Sequence, residues 1–166
     1  MTRHFPLPAL AFLILVTRAF NCAALQLPIS NEDLILGSRD IIHGIAKEVK
    51  SQRGDGGMIY TYTKILVLDV YKGEAPKELI IRNDGGTVDS LFLWVEDEPE
   101  FKEGTEVIVH TYLTENGDLV AYCGERGVYL VKDGFVERAN MTIDQYKNFV
   151  AEVIKQSEAD SVNANH

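Results

Sequence analysis

The stretch MIYTYTKILVLDVYKG, residues 58–73, constrains this chain more than any other, being the longest run of β-branched, aromatic and aliphatic residues beyond the N-terminal segment. Fifteen residues precede Gly73. At about 3.3 Å each they reach roughly 50 Å, against about 17–20 Å for an ordinary strand. A strand that bends and pairs with different neighbours in its two halves accommodates that length, and small closed or partly open barrels are built this way.

The first 24 residues read as a cleaved secretory signal. Arg3 precedes an apolar run of twelve residues, FPLPALAFLILV at 5–16, which is too short to span a bilayer. Cys22 and Ala24 then place small residues at the −3 and −1 positions of a cleavage site after Ala24. The competing readings are an uncleaved signal anchor, which Pro6, Pro8 and Arg18 disfavour, and lipidation of Cys22, whose flanking Ala19 and Asn21 match a lipoprotein signal poorly. Cleavage removes Arg3 and Arg18 and no acid, so the formal charge deepens from −9 to −11. So acidic a surface repels nucleic acid and anionic lipid, and no membrane span remains in the exported chain. Residues 25–157 have the size of one domain, with 158–166 expected as a disordered tail. Only Cys123 survives cleavage, so no intrachain disulfide can form, and Cys123 is expected as a small buried hydrophobe.

Along the chain, Ser30 with Asp33 three residues later starts a short helix that Gly37 stops. Ile41–Ser51 alternates as a first strand, with Gly44 marking a bend or bulge. The turn at residues 52–57 joins it to the long strand as a hairpin. Glu78–Asn83, Glu106–Leu113, Leu119–Cys123 and Val128–Val131 supply further short strands between glycine turns, with Leu66, Leu68, Val107, Val109 and Val128 expected in the core. The period changes at Thr142–Gln156, where Ile143, Tyr146, Phe149, Val150, Val153 and Ile154 repeat at helical spacing behind a Thr142/Gln145 capping box. No long crossover helix lies between the strands, which excludes a parallel α/β sheet. The expected fold is mainly β with flanking helices: a five- or six-stranded antiparallel barrel, one short N-terminal helix and one C-terminal amphipathic helix.

Signs of chemistry are sparse. Phosphate-cradling loops, nucleophile elbows and zinc spacings are all lacking. Neither a cofactor nor a metal is expected, and the protein reads as noncatalytic. The alternative, a small secreted hydrolase or thiol enzyme, requires His43, His110 and Cys123 to converge from separate strands. For binding, the loop Asp84–Asp89 (DGGTVD) stands out, because Gly85 and Gly86 permit positive φ and close approach of a partner backbone. With Trp94, the single tryptophan, it makes Asp84, Gly85, Gly86, Asp89 and Trp94 the candidate binding residues. A lone tryptophan in an apolar segment is more often a core anchor, and Trp94 is expected as one. The acids Glu96, Asp97, Glu98 and Glu100 favour a cationic partner or a divalent cation such as calcium, although no EF-hand spacing is present. Asn140-Met141-Thr142 is a glycosylation sequon.

In the order of its motifs the chain resembles a group of secreted, OB-like β-barrel proteins of unassigned function found in prokaryotes. The resemblance is carried by SNEDLILGSRDIIHGIAKEV, GGMIYTYTKILVLDVYKG, the Asp84–Gly86 turn, PEFKEGTEVIVHTYL and GVYLVKDG, across roughly residues 30–138. It implies a barrel displayed outside the cytoplasm, beside cell-surface or proteolytic machinery, and supplies no catalytic residues; the expected partner is a protein or another component of the cell envelope. Expression of the full chain in a secreting host should yield a product whose N-terminus is Leu25. Intact-mass spectrometry checks this: a retained Met1 or a lipid on Cys22 overturns the cleaved, soluble reading.

Overall fold

The computed structural model describes residues 29–163. The expected signal at 1–24, the Cys22 alternative and the last three tail residues lie outside them. Helix α1, Asn31–Gly37, begins as its sequence dictates: the Ser30 hydroxyl accepts the Asp33 amide at 3.0 Å and donates to the Asp33 carboxylate at 2.9 Å. At its other end a cation from elsewhere in the chain does the capping. Lys72 Nζ donates to the carbonyls of Ile35 (2.8 Å), Leu36 (2.9 Å) and Ser38 (2.6 Å), which binds the end of the long strand to this helix.

Strands β1 (Ile41–Arg53) and β2 (Ile59–Lys72) form a long antiparallel hairpin around the turn at Asp55–Gly57. Their register slips at Ile41/Ile42, at His43/Gly44 and again at Ala46/Glu48. The slip at His43/Gly44 falls where the sequence places its bend. A Cβ on Gly44 would sit 2.6 Å from the Leu66 carbonyl, so glycine is what lets the two backbones close there. The next strands are β3 (Glu78–Asp84), β4 (Gly86–Val88), β5 (Leu91–Leu93), β6 (Glu106–Leu113), β7 (Leu119–Ala121), β8 (Val128–Lys132), β9 (Phe135–Val136) and β10 (Met141–Thr142). Helix α2, Ile143–Asn163, closes the chain.

A five- or six-stranded barrel, closed or partly open, is expected from the sequence; the strands form a large antiparallel sheet that does not close. Eight of them make one antiparallel sheet in the order β10-β9-β8-β6-β1-β2-β3, with β7 on the C-terminal end of β6, while β4 and β5 form a separate ribbon. Strand β3 runs beside β7, yet the two share no ladder. β7 is three residues long and is followed by Cys123 and Gly124, both at φ +60°. A side chain spans the seam instead: Arg82 reaches Asp118 at 3.0 Å and Asp84 at 3.2 Å, with its guanidinium over the Tyr60 ring.

Two cores lie on opposite faces of the sheet. One packs Ile42, Ala46, Ile65, Leu79, Ile81, Val107 and Val109 with Phe101, and Val128 joins it partly buried. The other packs Ile41, Ile108, Tyr129, Val131 and Val136 beneath Leu34 and Ile35 of α1 and Tyr146 and Val150 of α2. Of the remaining expected core residues, Leu66 is half-buried and Leu68 is 50% exposed. The ladder with β3 ends at Leu66, so Leu68 stands where β2 has lost one of its neighbours. The helix also outruns expectation. Residues 158–163, read as a disordered tail, continue α2 as exposed turns, because SEADSVN contains neither Gly nor Pro to end it.

Helix α2 is anchored by a buried polar chain. His110 is fully buried; its Nδ1 lies 3.0 Å from Ser38 Oγ and its Nε2 2.8 Å from the Tyr146 hydroxyl. The Ser38 hydroxyl donates to the Leu34 carbonyl, so its oxygen accepts from Nδ1–H, which leaves Nε2 to accept from Tyr146. That assignment needs a neutral ring. Burial depresses the His110 pKa to about 4, the Leu34 carbonyl opposes this, and the Lys72 charge reinforces it. Since the folded value lies below the unfolded value of about 6.5, the stabilisation is complete above pH 6.5 and is lost as pH falls towards 4. The linked loss is about 3 kcal/mol. Urea midpoints should therefore fall between pH 7 and pH 4.5 by more in the parent than in His110→Gln, which cannot take up that proton; equal falls would contradict this account.

Candidate functional site

Strand β3 buries Leu79, Ile81 and Asn83 on one face and pairs with β2 so that Asn83 stands opposite Thr61. The apolar stripe of that face thus ends in polar residues. Above them the β4–β5 ribbon folds over, and a cleft of about 470 Å³ opens between ribbon, strand ends and the segment around Glu98. Asn83, Thr61 and Ser51 are among its polar lining; Phe92 and Trp94 are among its aromatic walls.

The candidate binding residues are distributed unevenly around this cleft. Asp84, Gly86 and Trp94 line it. Trp94 is 69% exposed, as is Phe92, so the single tryptophan is a surface residue and not a core anchor. Gly85 is buried beside the cleft at φ +89°, and a Cβ there would come within 2.7 Å of the Leu93 carbonyl. Gly86, at φ +128°, faces the hydroxyls of Thr61 and Ser51. Both glycines therefore spend their freedom on contacts within the chain, and the expected approach of a partner backbone at these two positions is not what they provide. Asp89 lies at the ribbon turn, outside the cleft lining, 3.5 Å from Arg53. The connection itself is a hairpin instead of an irregular loop, with Gly86 opposite Leu93 and Val88 opposite Leu91.

The hydroxyls of the floor are already committed. Thr61 donates to the Gly85 carbonyl at 2.7 Å, so Ser51, 2.9 Å away, donates to Thr61. Asn83 is 8% exposed, and among the described residues its amide oxygen has no hydrogen-bond partner. Asp84, Glu98, Glu100 and Glu125 bring carboxylates to the lining, and among the described residues no lysine, arginine or histidine lines it. Glu98 accepts the Asp84 amide at 3.1 Å; partial burial raises its pKa, against the lowering effect of that hydrogen bond. Among the described residues no group of His, Cys, Asp and Glu is arranged to hold a metal ion. Asn83 and Phe92 went unnoticed as site residues in the sequence, and Glu98 entered only as one of the acids bounding the apolar segment. A polar residue two positions beyond Leu79 and Ile81 on an alternating strand was the available signal for Asn83.

The residues of the enzyme alternative keep separate company. His43 Nε2 lies 2.6 Å from Glu106 Oε1, whereas His110 is held by Ser38 and Tyr146. Cys123, expected to be buried, is exposed in a left-handed turn, and desolvation raises its pKa, away from the thiolate form, against the lowering effects of the Tyr122 hydrogen bond and the Arg126 charge. Asn140 of the sequon is exposed in a turn at φ +54°. No helix among the described residues is long and apolar enough to cross a membrane.

No family model matches the chain, and no curated protein matches it. Replacing Gly85 with alanine forces a side chain into a left-handed backbone and against the Leu93 carbonyl. It should lower stability by about 1–3 kcal/mol, read as a urea-midpoint shift. A midpoint unchanged from the parent would mean that the ribbon shifts freely away.

Proposed function

We propose that this protein is a noncatalytic, extracytoplasmic binding module that docks a cationic polypeptide of the cell envelope in the cleft beneath the β4–β5 ribbon. The observation that carries this reading is the coincidence of exposed Phe92 and Trp94 with a lining that offers four carboxylates and, among the described residues, no cation. Large aromatics exposed beside a pocket are where binding energy concentrates, and charge of one sign selects a partner of the other. Among the described residues strand β5 pairs with β4 alone, which leaves its other edge to accept an extended backbone.

The same reading takes the fold as an opened OB-like arrangement. The β1-β2-β3 meander, the return of β6 onto β1 and the approach of β7 to β3 support it, with the cleft at one end of the inner core. OB-like modules bind with the loops and strands around such an end. A noncatalytic role is supported by the separate hydrogen-bond partners of His43 and His110 and by the raised pKa of Cys123. Secretion rests on the N-terminal segment alone.

A random twelve-residue peptide display library panned against the secreted chain tests the proposal. Recovered peptides should be rich in Arg or Lys beside apolar residues. Trp94→Ala and Phe92→Ala should each weaken them at least tenfold, as measured by fluorescence polarisation, with the fold retained by circular dichroism. Recovery of acidic peptides, or binding indifferent to both variants, would place the function elsewhere.

A further inference from the structure

We infer that the cleft anchors one arginine side chain of the bound polypeptide, whose guanidinium donates to the amide oxygen of Asn83 and the carboxylate of Glu98. The inference rests on the binding-module reading above and names what its cleft selects.

Asn83 makes the argument. A buried amide oxygen left without a donor destabilises the fold that contains it, so such an atom in a cleft points to a donor that arrives from outside. The chain cannot provide one from the cross-strand neighbours, since the Thr61 proton goes to the Gly85 carbonyl and the Ser51 proton to Thr61. Arg82, the nearest cation along the strand, is engaged with Asp84 and Asp118 and is not among the lining residues.

Glu98 adds the charge. It lines the same cleft and accepts the amide of Asp84, the residue next to Asn83. Its partial desolvation makes an incoming cation more valuable to it than to the exposed acids of the rim. A planar, five-donor guanidinium can serve an amide oxygen and a carboxylate together, and its flat face stacks on aromatic rings such as those of Phe92 and Trp94. A lysine ammonium would satisfy the charge without the planar fork. A bare divalent cation fits less well, because the carboxylates do not form a metal-ligating group among the described residues.

The test uses four fluorescein-labelled pentapeptide pools of the form Xaa-Xaa-Zaa-Xaa-Xaa, in which Zaa is arginine, lysine, citrulline or glutamate. Each is titrated against the secreted chain by polarisation. The arginine pool should bind at least tenfold tighter than the citrulline pool, which has nearly the same shape and no charge, and tighter than the lysine pool. Asn83→Leu and Glu98→Gln should each remove most of that preference. Asn83→Asp, which keeps the acceptor and adds charge, should strengthen the arginine preference; this variant and Glu98→Gln decide the matter if Asn83→Leu does not fold. Equal binding of arginine and citrulline pools in a manner sensitive to Trp94→Ala would overturn the anchor and leave the binding module standing. Preference for lysine over arginine would also overturn it. Absence of binding by every pool would overturn both.

Discussion

The β1–β2 hairpin is the constraint on which the remaining structure depends. Its strands are thirteen and fourteen residues long, and both faces of the ladder are put to use. A straight ladder of that length would give one flat face to each side. The slips at His43/Gly44 and Ala46/Glu48 twist it, so that β1 can pair with β6 along Ile41–Ile45 while β2 pairs with β3 along Tyr60–Leu66. One core then forms inside the curl and another outside it, under the helices. Lys72 binds the far end of β2 to α1 through three carbonyls, coupling the hairpin to the helical layer.

The helical layer is secured by polar groups within an otherwise apolar contact. His110, Tyr129 and Tyr146 form a cluster of rings 5.4–6.3 Å apart, with the Tyr146 hydroxyl on the imidazole and the Tyr129 hydroxyl on Asn31. Such a network fixes how α2 sits more narrowly than apolar packing would, because its hydroxyls are satisfied only in particular directions. The same feature makes the layer sensitive to acid, since a second proton on His110 removes the acceptor that Tyr146 needs. An acid-sensitive helix contact and an acidic cleft thus occupy different faces of the molecule and answer to different groups.

The cleft exists because the inner core does not run the full length of its strands. Leu79 and Ile81 give way to Asn83, and Ile65 and Thr63 to Thr61, so the end of the curl is polar where it meets solvent. Gly85 and Gly86 then turn the chain sharply enough for the ribbon to fold back over that end, with Thr61 bonded to the Gly85 carbonyl. The ribbon presents Phe92 and Trp94 outwards because nothing among the described residues covers its far side. The glycines build the site without forming its contact surface.

Local sequence was enough to determine the longer strands, the two capping boxes and the bend at Gly44, because each depends on backbone preferences and hydrogen bonds between residues near one another; the short β4–β5 ribbon, expected as a loop, was not among them. It also determined that the described residues are mainly β with a helix at either end. Tertiary structure decided what depends on distant neighbours. Closure of the sheet turned on whether β7 could extend a ladder to β3, and a left-handed turn at Cys123 ended it too soon. Leu68 and Trp94 carry the same apolar signal as Leu79 and Ile81, yet are exposed, since burial depends on what covers a face and not on the residue alone. Asn83 became a site residue for the converse reason: its alternation is legible in the strand, but only the committed hydroxyls of Ser51 and Thr61 leave its buried oxygen without a donor.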